Sequence, residues 1–78
     1  MDLTPRHALA LLVDGENLSR DLAPEVIRAA QRLGPVQVRR VYGNLAAIAG
    51  WEQFGFRLCP TRPGKNAADM LLCVEAMM

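Results

Sequence analysis

Two short segments carry residue types that could act together on a substrate. Asp14-Gly15-Glu16-Asn17 directly follows the apolar run Ala8 to Val13, so a carboxylate and an amide emerge from a buried segment on one tight turn. Oxygen donors of this kind suit a hard cation such as Mg²⁺ or Mn²⁺. The same tetrapeptide also reads as a polar turn in which Asp and Gly serve only the local backbone. The second segment, Gly64-Lys65-Asn66-Ala67-Ala68-Asp69, puts Asp69 in the first turn of a predicted helix with a basic residue just before it, where helix dipole and anion site coincide. Asn66 followed three positions later by Asp69 is also close to a capping box, which gives Asp69 a purely structural alternative. Gly64-Lys65 is not a P-loop, because the upstream glycine spacing and the following Ser or Thr are absent.

The elements that must position these residues follow from periodicity. Ala8 to Val13 has no polar interruption, the pattern of a strand buried on both faces of a parallel sheet, and Asp14 falls at its carboxyl end. A helix is predicted from about Asp21, with Pro24 and Glu25 in its first turn, a stripe of Val26, Ile27, Ala30 and Leu33, and a stop at Gly34-Pro35. Val36 to Tyr42 reads as a second strand, and Asn44 can cap a short helix bearing Leu45, Ile48, Ala49 and Trp51. Phe56 to Cys59 forms a brief third strand stopped by Pro60, and a last helix is expected over Ala67 to Met77 with Asn66 as its cap. The predicted order β-α-β-α-β-α implies right-handed crossovers and a Rossmann-like α/β fold with a three-stranded parallel sheet. Ligand groups in such sheets gather beyond the carboxyl ends of the strands, where Asp14, Asn44 and Arg62 fall.

Composition bounds the rest. The chain has 78 residues, and nine Lys plus Arg against eight Asp plus Glu leave a net charge of +1, so bulk charge gives no independent sign of a polyanionic partner. With 51% hydrophobic residues and only 22% charged, it is a single ordered unit. A core this small seldom contributes more than about 3–5 kcal/mol net, so support from a partner or from further chain is expected. Cys59 and Cys73 lie in apolar segments, too few for a disulfide framework, and are read as reduced. No leader pattern or membrane-length apolar run occurs, which makes a cytoplasmic protein with no membrane partner the expectation. His7 has no partner for nucleophilic chemistry. Trp51, beside Ile48 and Phe54, is read as core, with base stacking by Trp51 or Tyr42 as the alternative.

Taken together, Leu-Leu-Val-Asp-Gly-Glu-Asn-Leu at 11–18, Val-Tyr-Gly-Asn at 41–44 and Gly-Lys-Asn-Ala-Ala-Asp-Met at 64–70 resemble the NYN domain, a branch of the PIN-like nuclease superfamily. The resemblance implies a metal-dependent endoribonuclease that uses Mg²⁺ or Mn²⁺ to hydrolyse RNA phosphodiester bonds. Carried over position by position, Asp14 and Asp69 match catalytic, metal-binding acids, and Asn17 matches the polar residue that supports the first of them. Glu75 stands where many relatives have a second Asp on the last helix, but Glu replaces Asp and the six-residue separation puts it off the face of Asp69. Glu16 is read as an outer or exposed residue, and Lys65, Arg62 and Asn44 as groups that approach the substrate.

The resemblance also implies a fourth strand whose aspartates complete the acidic cluster, and the chain stops before it. Residues 1–78 are therefore expected to be the N-terminal part of one NYN domain, with an incomplete site and no activity alone. The apolar edge of the first strand would then be bare, and association through it, with a second copy or another chain, is expected. Two other readings stand beside this one: a noncatalytic RNA-binding or protein-interaction module of the same fold, and a nucleotide-binding Rossmann-like domain, which lacks the G-x-G-x-x-G turn.

Overall fold

The computed structural model describes residues 8–61 and, for the backbone, 72–77. Strand β1 (Ala8–Asp14) is followed by a single 3-10 turn at Arg20–Leu22 and helix α1 (Ala23–Gln31). Strand β2 (Val36–Gly43), helix α2 (Leu45–Ile48) with its 3-10 continuation Ala49–Phe54, strand β3 (Arg57–Pro60) and strand β4 (Leu72–Met77) complete the order. The sheet runs β3-β2-β1-β4, with β1, β2 and β3 parallel as expected.

Local sequence explains the helix boundaries. Ser19 Oγ accepts from the Asp21 N–H at 3.2 Å and starts the 3-10 turn, and Pro24 and Glu25 occupy the first turn of α1. α1 ends at Gln31, so Leu33 falls beyond it and is 68% exposed rather than on the buried stripe. Asn44 caps α2, its Oδ1 accepting from the Ala47 N–H at 2.9 Å. The predicted single helix tightens into a 3-10 segment after Ile48, and the spacing of the apolar residues accounts for it. Ile48, Trp51 and Phe54 recur every third residue, the repeat of a 3-10 helix, and the first two are fully buried. Gly55, at φ 81°, closes the segment in the left-handed region.

Both crossovers run the same way across the sheet, so both helical segments cover one face. Leu11, Val13 and Val41 on that face pack with Ala23, Ala30, Ile48, Trp51 and Phe56, and the Trp51 and Phe56 rings meet edge to face with centroids 5.0 Å apart. Arg39 lies on this face too, where its guanidinium donates to the Phe54 carbonyl at 2.9 Å. Arg40 takes the opposite face, exposed and in register with exposed Arg57.

Residues 72–77 depart from the expected closing helix. They form β4, antiparallel to β1 from Ala8↔Met77 to Val13↔Leu72. Helix preference is worth only tenths of a kcal/mol per residue, whereas a strand here supplies backbone partners to an edge of the most buried strand. β1 is thus internal, and the bare edge from which association was expected is occupied. Glu75 is correspondingly on a strand rather than a helix: it pairs with Ala10, four positions from Asp14 along β1, or roughly 13 Å. Cys59 and Cys73 sit on the two outer strands, three strand spacings or roughly 14 Å apart, beyond disulfide reach.

Trp51→Ala should cost about 3–5 kcal/mol, because it empties the centre of the helix-covered face, and chemical denaturation would read this as loss of most of the cooperative transition. Gly43→Ala should also destabilise, by more than about 1 kcal/mol in the same assay. The backbone there has φ 152°, and an added Cβ would stand 2.8 Å from Glu16 Cγ and 2.9 Å from Ile48 Cγ2.

Candidate functional site

Asp14 ends the central strand and is 8% exposed, the one buried charged residue among those described. A carboxylate so placed needs hydrogen-bond partners, and the next three residues supply them. The Glu16 N–H donates to Oδ1 at 3.0 Å, and Asn17 Nδ2 donates to Oδ2 at 2.7 Å. The Leu18 N–H donates to the Asp14 carbonyl at 3.1 Å, which closes the turn, and the Gly15 N–H donates to the Tyr42 carbonyl at 2.8 Å, which extends the β1–β2 ladder past Asp14. A Cβ at Gly15 would lie 2.6 Å from both Ile48 Cγ2 and Val41 Cγ2. Only glycine lets the chain turn that close to the core and bring Glu16 and Asn17 back toward the carboxylate.

A second link joins the ends of β1 and β2. Asn44 Nδ2 donates to Glu16 Oε1 at 3.2 Å while its Oδ1 caps α2, so both ends of that amide are engaged. Asp14, Glu16, Asn17 and Asn44 are therefore brought to one edge of the sheet. Arg62, Lys65 and Asp69 lie outside the described residues, as does the Asn66 cap. The segment that carries them leaves and rejoins the described structure at this same edge: the Thr61 N–H donates to the Gly43 carbonyl at 2.9 Å, and Leu72 pairs with Val13.

The donor chemistry fits a hard cation. Each Asp14 oxygen accepts one hydrogen bond and keeps a second acceptor position, and Asn17, which turns its NH₂ toward Asp14, keeps its carbonyl oxygen for another partner. Among the described residues no three His, Cys, Asp or Glu side chains converge.

Beside the turn runs an open groove of about 490 Å³ between residues 15–20 and the small residues Ala46 and Ala47 of α2 and Gly50 of its 3-10 continuation. Arg20 borders it, a residue that sequence reading passed over because it lies in no motif. The one available signal was its position six residues after Asp14, in the connection that leaves the functional edge.

Among the described residues no helix is long and apolar enough to cross a membrane. Searches of curated proteins and of solved structures return no match. Comparison with protein-family models gives a match to the NYN domain over residues 8–78, a span that includes β1 with its acidic turn and every later element. NYN domains form a branch of the PIN-like nuclease superfamily, whose members generally depend on divalent metal, and this chain belongs to the NYN domain family.

Proposed function

We propose that this protein is a metal-dependent endoribonuclease whose site is built on Asp14 at the carboxyl end of β1. The observation that carries the reading is the tethered, nearly buried carboxylate at the edge where open α/β sheets bind ligands. The alternative of a merely polar turn does not require a side-chain amide committed to the carboxylate as well as a backbone N–H.

In this reading Asp14 and Asp69 hold Mg²⁺ or Mn²⁺, with Asn17 orienting Asp14 and offering its free carbonyl oxygen. Asp69 precedes Leu72 by three residues in the sequence, and Leu72 pairs with Val13, the residue before Asp14. A bound divalent cation would neutralise charge on the phosphate and lower the pKa of water. The reaction is hydrolysis: a water oxygen bonds to phosphorus, the bond from phosphorus to one ribose oxygen breaks, and that oxygen leaves with a proton.

The protein's own contribution is placement. Asn17 and the Glu16 N–H fix the Asp14 carboxylate in one orientation, so little is lost when a cation and a phosphate arrive. Glu16 stays at the rim, tied to α2 through Asn44, and Asn44 thus bears on the substrate side of the site through Glu16. Lys65 and Arg62, on the segment that starts and ends at this edge, are proposed to meet substrate phosphates. Glu75 has no part in the cation site, since its register places it well down β1.

In the full-length protein, of which residues 1–78 are proposed to be the N-terminal part of the NYN domain, Asp14→Asn should abolish cleavage of single-stranded RNA while the fold is kept, because Asn17 can turn its amide over to accept from the new one. Activity and the circular dichroism melt check this together, and retained cleavage would remove Asp14 from the reaction. Asn17→Ala should lower activity by about 10–100-fold with a smaller effect on stability, and excess Mn²⁺ should restore part of it. Chelation with EDTA should stop cleavage by the unaltered protein, and Mg²⁺ or Mn²⁺ should restart it. If the full-length protein binds RNA but cleaves none under any of these conditions, it is the noncatalytic RNA-binding module of the same fold.

A further inference from the structure

The groove beside the acidic turn has a shape and a charge that the hydrolytic site does not itself require. One wall is the chain that leaves Asp14, residues 15–20, and the other is formed by Ala46 and Ala47 of α2 and Gly50 of its 3-10 continuation. Methyl groups and a bare Cα keep this wall low. At about 490 Å³ the space falls in the range of small-molecule sites, large enough for one nucleotide unit and open along its length.

Its cation is seated rather than free. An added Cβ at Gly50 would stand 2.6 Å from Arg20 Cδ and 3.0 Å from Arg20 Cζ, so the absent side chain of Gly50 is the space that the arginine occupies. Arg20 is an exposed residue whose guanidinium lies beside Gly50, Nη1 being the atom nearest to the place of the absent side chain, and it stands on the 3-10 turn that Ser19 caps, which fixes its backbone. A guanidinium held this way presents a planar fork of donors, the geometry that pairs with a phosphate through two hydrogen bonds. Among the described residues it makes no hydrogen bond of its own.

We infer that this groove takes the nucleotide next to the cleaved phosphodiester in single-stranded RNA, with Arg20 binding that nucleotide's phosphate. The inference rests on the ribonuclease reading above and adds the direction in which the strand leaves Asp14: over the start of the β1–α1 connection and along α2. Glu16 and Asn17 line the same groove, so a strand lying in it passes the acidic turn before it reaches Arg20. Arg20 binds the substrate equally before and during reaction, and so acts on affinity.

The test, made on the full-length protein, is binding of a fluorescein-labelled five-nucleotide oligouridylate in EDTA, followed by cleavage kinetics in Mg²⁺. Arg20→Ala should weaken binding about tenfold and reduce the dependence of log affinity on log salt by about 0.7. It should raise KM with kcat nearly unchanged, and Arg20→Lys should recover part of the affinity. Gly50→Val, which fills the arginine's seat, should weaken binding similarly. Arg32→Ala, a change of equal charge at the far end of α1, is the control. The inference is overturned if Arg20→Ala binds and cleaves like the unaltered protein, or if Arg32→Ala weakens binding as much. It does not depend on Gly50→Val folding, because Arg20 is exposed and its replacement leaves the core intact. Should the unaltered protein neither bind nor cleave RNA, the ribonuclease reading fails first and takes this one with it. If it cleaves while the Arg20 and Gly50 variants are silent, only the groove is wrong.

Discussion

A carboxylate at the end of an otherwise apolar strand is the constraint on which this structure turns. Removed from most of its water, the Asp14 side chain must find hydrogen bonds within the protein, and it finds them in the chain that immediately follows. That requirement sets the shape of residues 15–18. The chain must double back, glycine must stand at position 15 because the core lies against it, and an amide must stand at 17 to meet the second oxygen. The same turn sets where α1 begins and leaves the groove beside α2. The carboxylate is held by short-range bonds and can still accept more, the feature on which the proposed cation site rests.

The sheet makes that turn accessible. Because the chain steps from β1 to β2 to β3 in one direction, its two right-handed crossovers put both helical segments on one face. The burial of Leu11, Val13, Val41, Ile48 and Trp51 follows from this arrangement, and so does the division of the two adjacent arginines, Arg39 toward the helices and Arg40 away from them. Arg39 is accommodated by a carbonyl at the end of the 3-10 segment, which resolves how a basic residue sits on the packed side of an inner strand. At the carboxyl edge Asp14, Glu16, Asn17 and Asn44 are brought together.

Much of this was legible in the order of the residues. The apolar run Ala8 to Val13, the Gly-Pro and Gly-Asn boundaries of β2, Pro24 in the first turn of α1 and the Asn44 cap each rest on contacts within a few positions, and each is where the pattern put it. The acidic turn was legible for the same reason, since its hydrogen bonds span two to four residues. Other features were not. Leu33 matched the helical stripe but lies past the end of α1, Leu45 matched the next one and is 57% exposed, and Arg20 belongs to no motif because what seats it is a glycine thirty positions away.

The segment Leu72–Met77 shows where the division falls. Its composition favours a helix by local preference, yet it pairs along β1, because the unpaired backbone edge of a buried strand gains more from a partner than a short stretch gains from helical propensity. By itself the sequence determined the three parallel strands, the connecting helical segments and the residues of the turn at Asp14, all of which are set by neighbours in the chain. Only the tertiary structure decided which face each strand residue took, what covered the second edge of β1 and which cation stood beside the acidic turn, because those outcomes depend on groups far apart in sequence that meet only when the sheet forms.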